Sequence, residues 1–174
     1  IYAARTHSQL SQFIGEVRRT AWGRTTRVVA LGSRAQGLCG YLQGSSNSSS
    51  TSDTHMTDQC LELRNSKKRP AAHTSGSGCA CPYYQPSSIA TLALHSLTEP
   101  TDLEEMASLG TSSQTCAYDA SRQALPHAEL VVVPYSRLVD AKTRDSVGLR
   151  LENSLVLIDE AHNFPQAIAH LHSS

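Results

Sequence analysis

Asp159 and Glu160 follow directly on the apolar run Leu155-Val156-Leu157-Ile158 and precede Ala161-His162. An apolar run of this length predicts a buried strand of a parallel sheet. It delivers two carboxylates at its C-terminal end, where ligands of open α/β sheets bind. One carboxylate there can help hold a Mg²⁺ ion that bridges nucleotide phosphates, and its neighbour can orient or polarise an attacking water. Asp-Glu alone would be read as a solvated acidic turn. Asp-Glu-Ala-His after such a strand points to nucleotide hydrolysis.

The cysteines are the second group with chemistry in them. There are five, an odd number without a secretory signal, which argues against a disulfide framework and for an intracellular metal or cluster site. Cys39, Cys60, Cys81 and Cys116 are separated by 20, 20 and 34 residues, and the only close pair is Cys79-Ala80-Cys81. Zinc modules usually present Cys-x2-Cys pairs, and none occurs here. Spacing alone leaves three readings open: an iron–sulfur cluster, buried thiols, or zinc.

Composition bounds the elements that must position these residues. The 174-residue chain carries 15 basic and 15 acidic side chains, so no global field argues for nucleic acid or membrane. Its first 36 residues, however, hold Arg5, Arg18, Arg19, Arg24, Arg27 and Arg34 against Glu16 alone, as a phosphate-facing surface or a solvated helix face would. No apolar span of 18 residues is present, so no membrane partner is expected. The chain opens inside an apolar run without an initiator Met and reads as a piece of a longer protein.

The pattern predicts a strand ending at Ala4, then an amphipathic helix with Leu10, Phe13, Ile14 and Val17 on one face and Ser8 as N-cap. A strand follows at Val28–Leu31, closed by Gly32-Ser33. Residues 44–57 and 71–78 are too Ser-rich and polar to repay ordering. Lys67-Lys68-Arg69 between them reads as a solvated loop. Thr101 to Glu104 predicts a capping box for a helix running to about Gly110. A strand is predicted at Leu130–Val133, a short helix at Leu138-Val139, and a helix starting near Pro165. The expected layout is α/β at 1–36, an irregular cysteine-bearing insert at 37–120, and α/β again at 121–174.

Arg-Thr-His-Ser-Gln (5–9), Gly-Ser-Arg (32–34) ahead of Leu38-Cys39, Cys81-Pro82-Tyr83-Tyr84, Leu-Val-Val-Val-Pro-Tyr (130–135) and Asp-Glu-Ala-His-Asn (159–163) occur in that order. The ordered set resembles the XPD-like iron–sulfur DEAH-box DNA helicases of superfamily two, and within them the chromosome-loss (ChlR) branch related to FANCJ and RTEL. The resemblance implies a partial RecA-like (P-loop NTPase) motor domain interrupted by an iron–sulfur insert. It implies that Arg5, Thr6, Ser8 and Gln9 contact the backbone of the translocating single strand, groups suited to positioning without reading sequence. It implies Asp159 as the Mg²⁺-associated acid, Glu160 as the water-activating one, and His162 as the residue coupling nucleotide state to other motifs. Cys39, Cys60, Cys81 and Cys116 match the ligands of a [4Fe–4S] cluster, and Arg34 the arginine that supports it. The sequence departs from the family at Ala35-Gln36-Gly37, three residues where two are usual, and at Ala117-Tyr118-Asp119 after Cys116. Cys79 competes with Cys81 as a ligand.

No Gly-x4-Gly-Lys-[Ser/Thr] loop is present, so residues 1–174 alone are expected neither to hydrolyse ATP nor to unwind DNA. The expected parent is a nuclear ATP-dependent 5′-to-3′ DNA helicase that acts on single-stranded and forked DNA, uses ATP, Mg²⁺ and a [4Fe–4S] cluster, and works with replication and cohesion proteins. The competing expectations are a non-enzymatic zinc-binding cysteine-rich module and an inactive helicase-derived fragment.

Overall fold

The structure is a computed structural model that describes residues 1–44, 52–65 and 80–172. Lys67-Lys68-Arg69, Cys79, residues 71–78 and residues 45–51 of the Ser-rich stretch lie outside the described residues. Two strands, β1 (Tyr2–Ala4) and β2 (Val28–Ala30), flank helix α1 (His7–Arg19). Helices α2 (Gly40–Gly44), α3 (Asp53–Asn65), α4 (Pro86–Ser96), α5 (Leu103–Ser112) and α6 (Ala117–Ala124) follow. Strand β3 (Leu130–Pro134), helices α7 (Tyr135–Val139) and α8 (Ala141–Val147), strand β4 (Leu157–Ile158) and helix α9 (Phe164–His172) complete the order.

The four strands form one parallel sheet in the order β2-β3-β1-β4. Tyr2 pairs with Val132 on one side and Leu157 on the other, so the C-terminal ends of β1, β3 and β4 lie together. Ala3, Val132 and Val133 are fully buried, and α1 sends Leu10 and Ile14 into the same core. The fold class is therefore α/β with a parallel sheet, as the apolar runs require.

Three boundaries differ from the sequence reading. Helix α1 is capped by Thr6, not Ser8: Thr6 Oγ1 accepts from Gln9 N at 3.3 Å, and Gln9 Oε1 accepts from Thr6 N at 3.1 Å. Thr6 is the residue that stands three before a glutamine, as the reciprocal box requires. Helix α5 is capped one residue later than expected, by Asp102 with Glu105, and it runs on to Ser112. The run before the carboxylates is not a fully buried strand. Only Leu157–Ile158 forms a strand, and Leu155 and Leu157 are 76% and 50% exposed, because among the described residues β4 is the last strand at its edge of the sheet.

The described part of 37–120 is mainly helices joined by short turns, and α3 begins at Asp53, inside the stretch expected to be unordered. Met56 and Cys60 on α3 are buried against Cys39 and Leu42 in a small cluster of their own. Ile89, Leu92, Leu103 and Met106 of α4 and α5 instead join the main core around the sheet. Gly37, at φ +100°, closes the tight turn Arg34–Leu38 that leads out of the sheet layer towards Cys39.

Candidate functional site

Asp159 leaves β4 with its backbone fixed: its N–H donates to Ala3 O at 2.9 Å, and its carbonyl accepts from the Tyr135 hydroxyl. Its side chain is fixed too, since Tyr2 Oη donates to Asp159 Oδ2 at 2.7 Å. Tyr2 is held in place by Phe13 of α1, whose ring stacks on it at 3.6 Å between centroids. Burial, reinforced by the bond to Asp159 and its charge, pushes the Tyr2 hydroxyl well above the ordinary tyrosine range, so it is a standing donor. Tyr135 is shifted upward as well, first by burial and then by Asp159 and Glu160.

Glu160 adopts left-handed backbone angles, φ 43° and ψ 51°, and its side chain is exposed. Its N–H donates to Asp159 Oδ1 at 3.0 Å, and its Oε2 accepts from Asn163 Nδ2 at 3.2 Å. His162 is exposed beside Asn163, with Nε2 3.0 Å from Asn163 Nδ2. Arg5 reaches across from the end of β1 and donates to Asn163 Oδ1 at 3.4 Å. The structure thus brings Asp159, Glu160 and His162 to one end of the sheet, with Arg5 hydrogen-bonded to the same cluster. Thr6 and Ser8 are exposed on the first turn of α1, where backbone N–H groups favour an anion. Thr6 and Gln9 spend part of their hydrogen-bonding capacity on each other as the helix cap.

The four well-spread cysteines meet around one recess, lined by Cys39, Cys60, Cys81 and Cys116 together with Arg34 and Tyr118. Backbone contacts draw these distant segments together: Ala80 N donates to Leu63 O at 2.9 Å, and Cys116 N to Tyr83 O at 2.9 Å. None of the four is in a disulfide. Burial raises the Cys39 thiol, against the opposing bond from the Leu42 backbone. Burial also pushes the Cys116 thiol far above the usual thiol range, and Asp119, 3.3 Å from its sulfur, adds to this.

Arg34 is buried and lies over the Tyr118 ring at 3.7 Å, and its Nε has no hydrogen-bond partner among the described residues. Burial opposes the charge on Arg34, but Tyr118, Cys60 and Asp119 outweigh it and keep the guanidinium protonated. Among the described residues no three His, Cys, Asp or Glu side chains converge tightly enough to hold a single metal ion. The donor set is four thiols spread around a recess, with a buried cationic donor left over.

Residues 2–174 match the DEAD_2 family along essentially the whole chain. The chain belongs to the DEAD_2 family. It is 38% identical to the mouse ATP-dependent DNA helicase DDX11 over 181 residues, covering 99% of this chain and 20% of that one. It is 36% identical to the ATP-dependent DNA helicase CHL1 of Yarrowia lipolytica, covering 99% of this chain and 22% of the relative. The chain therefore spans about a fifth of the length of the curated relatives it matches. A solved structure of truncated XPD shares the fold at a TM-score of 0.56 with 17% identity, over 95% of this chain and 41% of the other.

Within this DEAD_2 chain, the arginine clustering at 1–36 is mostly absorbed internally. Arg18 pairs with Glu105, Arg19 with Glu16 and Arg27 with Glu129, while Arg34 is buried. Arg5 and Arg24 have no carboxylate partner among the described residues, and only Arg5 is tied to the carboxylate cluster. Sequence reasoning missed Tyr2, Tyr135 and Asn163. All three lie inside stretches already singled out, but nothing in their spacing shows that their partners are 157, 24 and 158 residues away.

Proposed function

We propose that residues 1–174 are the part of an ATP-dependent DNA helicase that pairs the acidic nucleotide-hydrolysis motif with a single-strand contact and an iron–sulfur insert. The observation that carries this reading is the meeting of Asp159-Glu160 with Arg5 and the exposed first turn of α1 at one end of a parallel sheet. The DEAD_2 membership and the DNA helicases at up to 38% identity support it.

Asp159, fixed by Tyr2 and Tyr135, is the group to hold Mg²⁺ on the nucleotide phosphates, and Glu160 the one to orient the attacking water. His162, exposed beside Asn163, is the residue we assign to couple nucleotide state to the other motifs. Arg5, Thr6, Ser8 and Gln9 serve the backbone of the strand, the arginine as a charged donor and the helix start as a cluster of N–H groups.

Cys39, Cys60, Cys81 and Cys116 would hold a [4Fe–4S] cluster, which when bound supplies four iron–thiolate bonds across otherwise separate segments. Their spread around a recess suits a group larger than one ion, and Arg34, with its spare Nε donor, is placed to hydrogen-bond towards sulfur. We assign 1–36 and 121–174 to the motor layer and 37–120 to the insert. A nuclear location and replication or cohesion partners follow from the helicase reading.

Two measurements test this. Anaerobically purified protein should hold about four irons and four acid-labile sulfides per chain, lost in Cys39→Ser and Cys116→Ser. Zinc in folded protein would instead favour a structural binding module. In the full-length chain, Glu160→Gln should abolish strand separation while leaving single-stranded DNA binding in place. Unwinding that survives Glu160→Gln would remove the assignment.

A further inference from the structure

Arg5, Asn163 and Glu160 form a line of hydrogen bonds that joins the strand-contact half of the site to the hydrolytic half. Arg5 Nη1 donates to Asn163 Oδ1 at 3.4 Å, and the same amide donates from Nδ2 to Glu160 Oε2 at 3.2 Å. Asn163 also holds the backbone of Glu160, donating its N–H to Glu160 O at 2.9 Å. Glu160 meanwhile sits in the left-handed region, at φ 43° and ψ 51°, which a residue of its type rarely keeps without support from its surroundings. Its carbonyl and its carboxylate are therefore both tied to Asn163, in a left-handed conformation, while its N–H is tied to Asp159.

The tie can be exchanged. Arg5 and Glu160 are both exposed, and Arg5 has no carboxylate partner among the described residues. A phosphate is a better acceptor for a guanidinium than a neutral amide carbonyl, since charge-assisted bonds are roughly twice as strong as neutral ones. A strand phosphate at the start of α1 would draw Arg5 off Asn163. Linked hydrogen bonds polarise one another, so an amide that loses its cationic donor also becomes a weaker donor to Glu160.

Resting on the helicase reading above, the geometry points to Asn163 as a positioning residue that keeps Glu160 in a resting orientation until single-stranded DNA withdraws Arg5. ATP hydrolysis is then low without DNA and rises when the strand binds, through three named side chains.

The test is steady-state ATP hydrolysis by the full-length chain containing residues 1–174, with and without oligothymidylate. Asn163→Ala removes the amide, and DNA-free turnover should rise about 2- to 10-fold, the rate equivalent of one hydrogen bond. The ratio of DNA-stimulated to DNA-free turnover should fall by the same factor, with the DNA concentration for half-stimulation unchanged. Asn163→Asp, which keeps a partner for Arg5 but repels Glu160, should raise DNA-free turnover in the same way. Arg5→Ala should also raise it, but with weaker DNA binding. Asn163→Ala turnover lowered equally with and without DNA, or an unchanged ratio, overturns the relay and leaves the helicase reading standing. Wild-type hydrolysis indifferent to DNA overturns the relay alone. No hydrolysis by the wild type overturns the helicase reading and the relay with it.

Discussion

Tyr2 shows how much of the acidic site depends on a single hydroxyl. Its bond to Asp159 Oδ2 fixes the carboxylate, while its ring is held independently by Phe13. Tyr2→Phe therefore keeps the packing and removes only the donor, which should cost about 1 kcal/mol of stability at pH 8 by urea unfolding. The pH dependence separates this bond from packing. The Tyr2 hydroxyl is raised above its unfolded value by burial and by Asp159, so its contribution is whole below the ordinary tyrosine value of about 10 and is lost as pH rises through the folded value. The wild type should lose stability more steeply than Tyr2→Phe above pH about 10, with Tyr135 accounting for part of what slope remains. Equal slopes in the two proteins would mean that the hydroxyl is not held by Asp159.

At the scale of elements, two helical glycines should respond in opposite directions to the same change. Gly15 in α1 has nothing within 4 Å of an added Cβ, so Gly15→Ala should stabilise by about 0.5–1 kcal/mol through helix propensity alone. Gly110 in α5 would place its Cβ 2.7 Å from Ala117 Cβ and 2.9 Å from Thr115 O. The same gain of about 1 kcal/mol is then outweighed by an overpacking cost of about 1–3 kcal/mol, because backbone must move. The residue displaced lies beside Cys116, so on the iron–sulfur proposal Gly110→Ala should also lower iron per chain; thermal unfolding and iron content check both. The contrast shows what local pattern carries. The α1 face and the β2 and β3 runs were legible because their burial follows period and hydrophobicity. The run before Asp-Glu was only partly so, since Leu155 and Leu157 are exposed at a sheet edge. The α5 start was not, because Thr101 to Glu104 and Asp102 to Glu105 both fit a box, and the chosen Glu105 also meets Arg18, 87 residues away. The helical start of α3 was hidden for the same reason: Met56 and Cys60 are buried against Leu42 and Cys39, contacts no local window contains.

For the whole molecule, surface charge and sheet topology point to the same behaviour. Formal net charge is zero at pH 7, which removes the repulsion that keeps small proteins apart. Among the described residues β4 is the last strand on its side of the sheet, and Leu155 and Leu157 stand 76% and 50% exposed along that edge. An apolar edge strand with unpaired backbone groups is a template for another chain. Residues 1–174 on their own should therefore associate with rising concentration at pH 7, by sedimentation velocity. Leu155→Lys with Leu157→Lys should shift the boundary to monomer. Gln12→Lys with Thr25→Lys adds the same charge away from the edge and separates the two causes. If this pair disperses the protein equally well, charge is the cause and the edge is not. If only the leucine pair does so, β4 is the surface through which the sheet is extended.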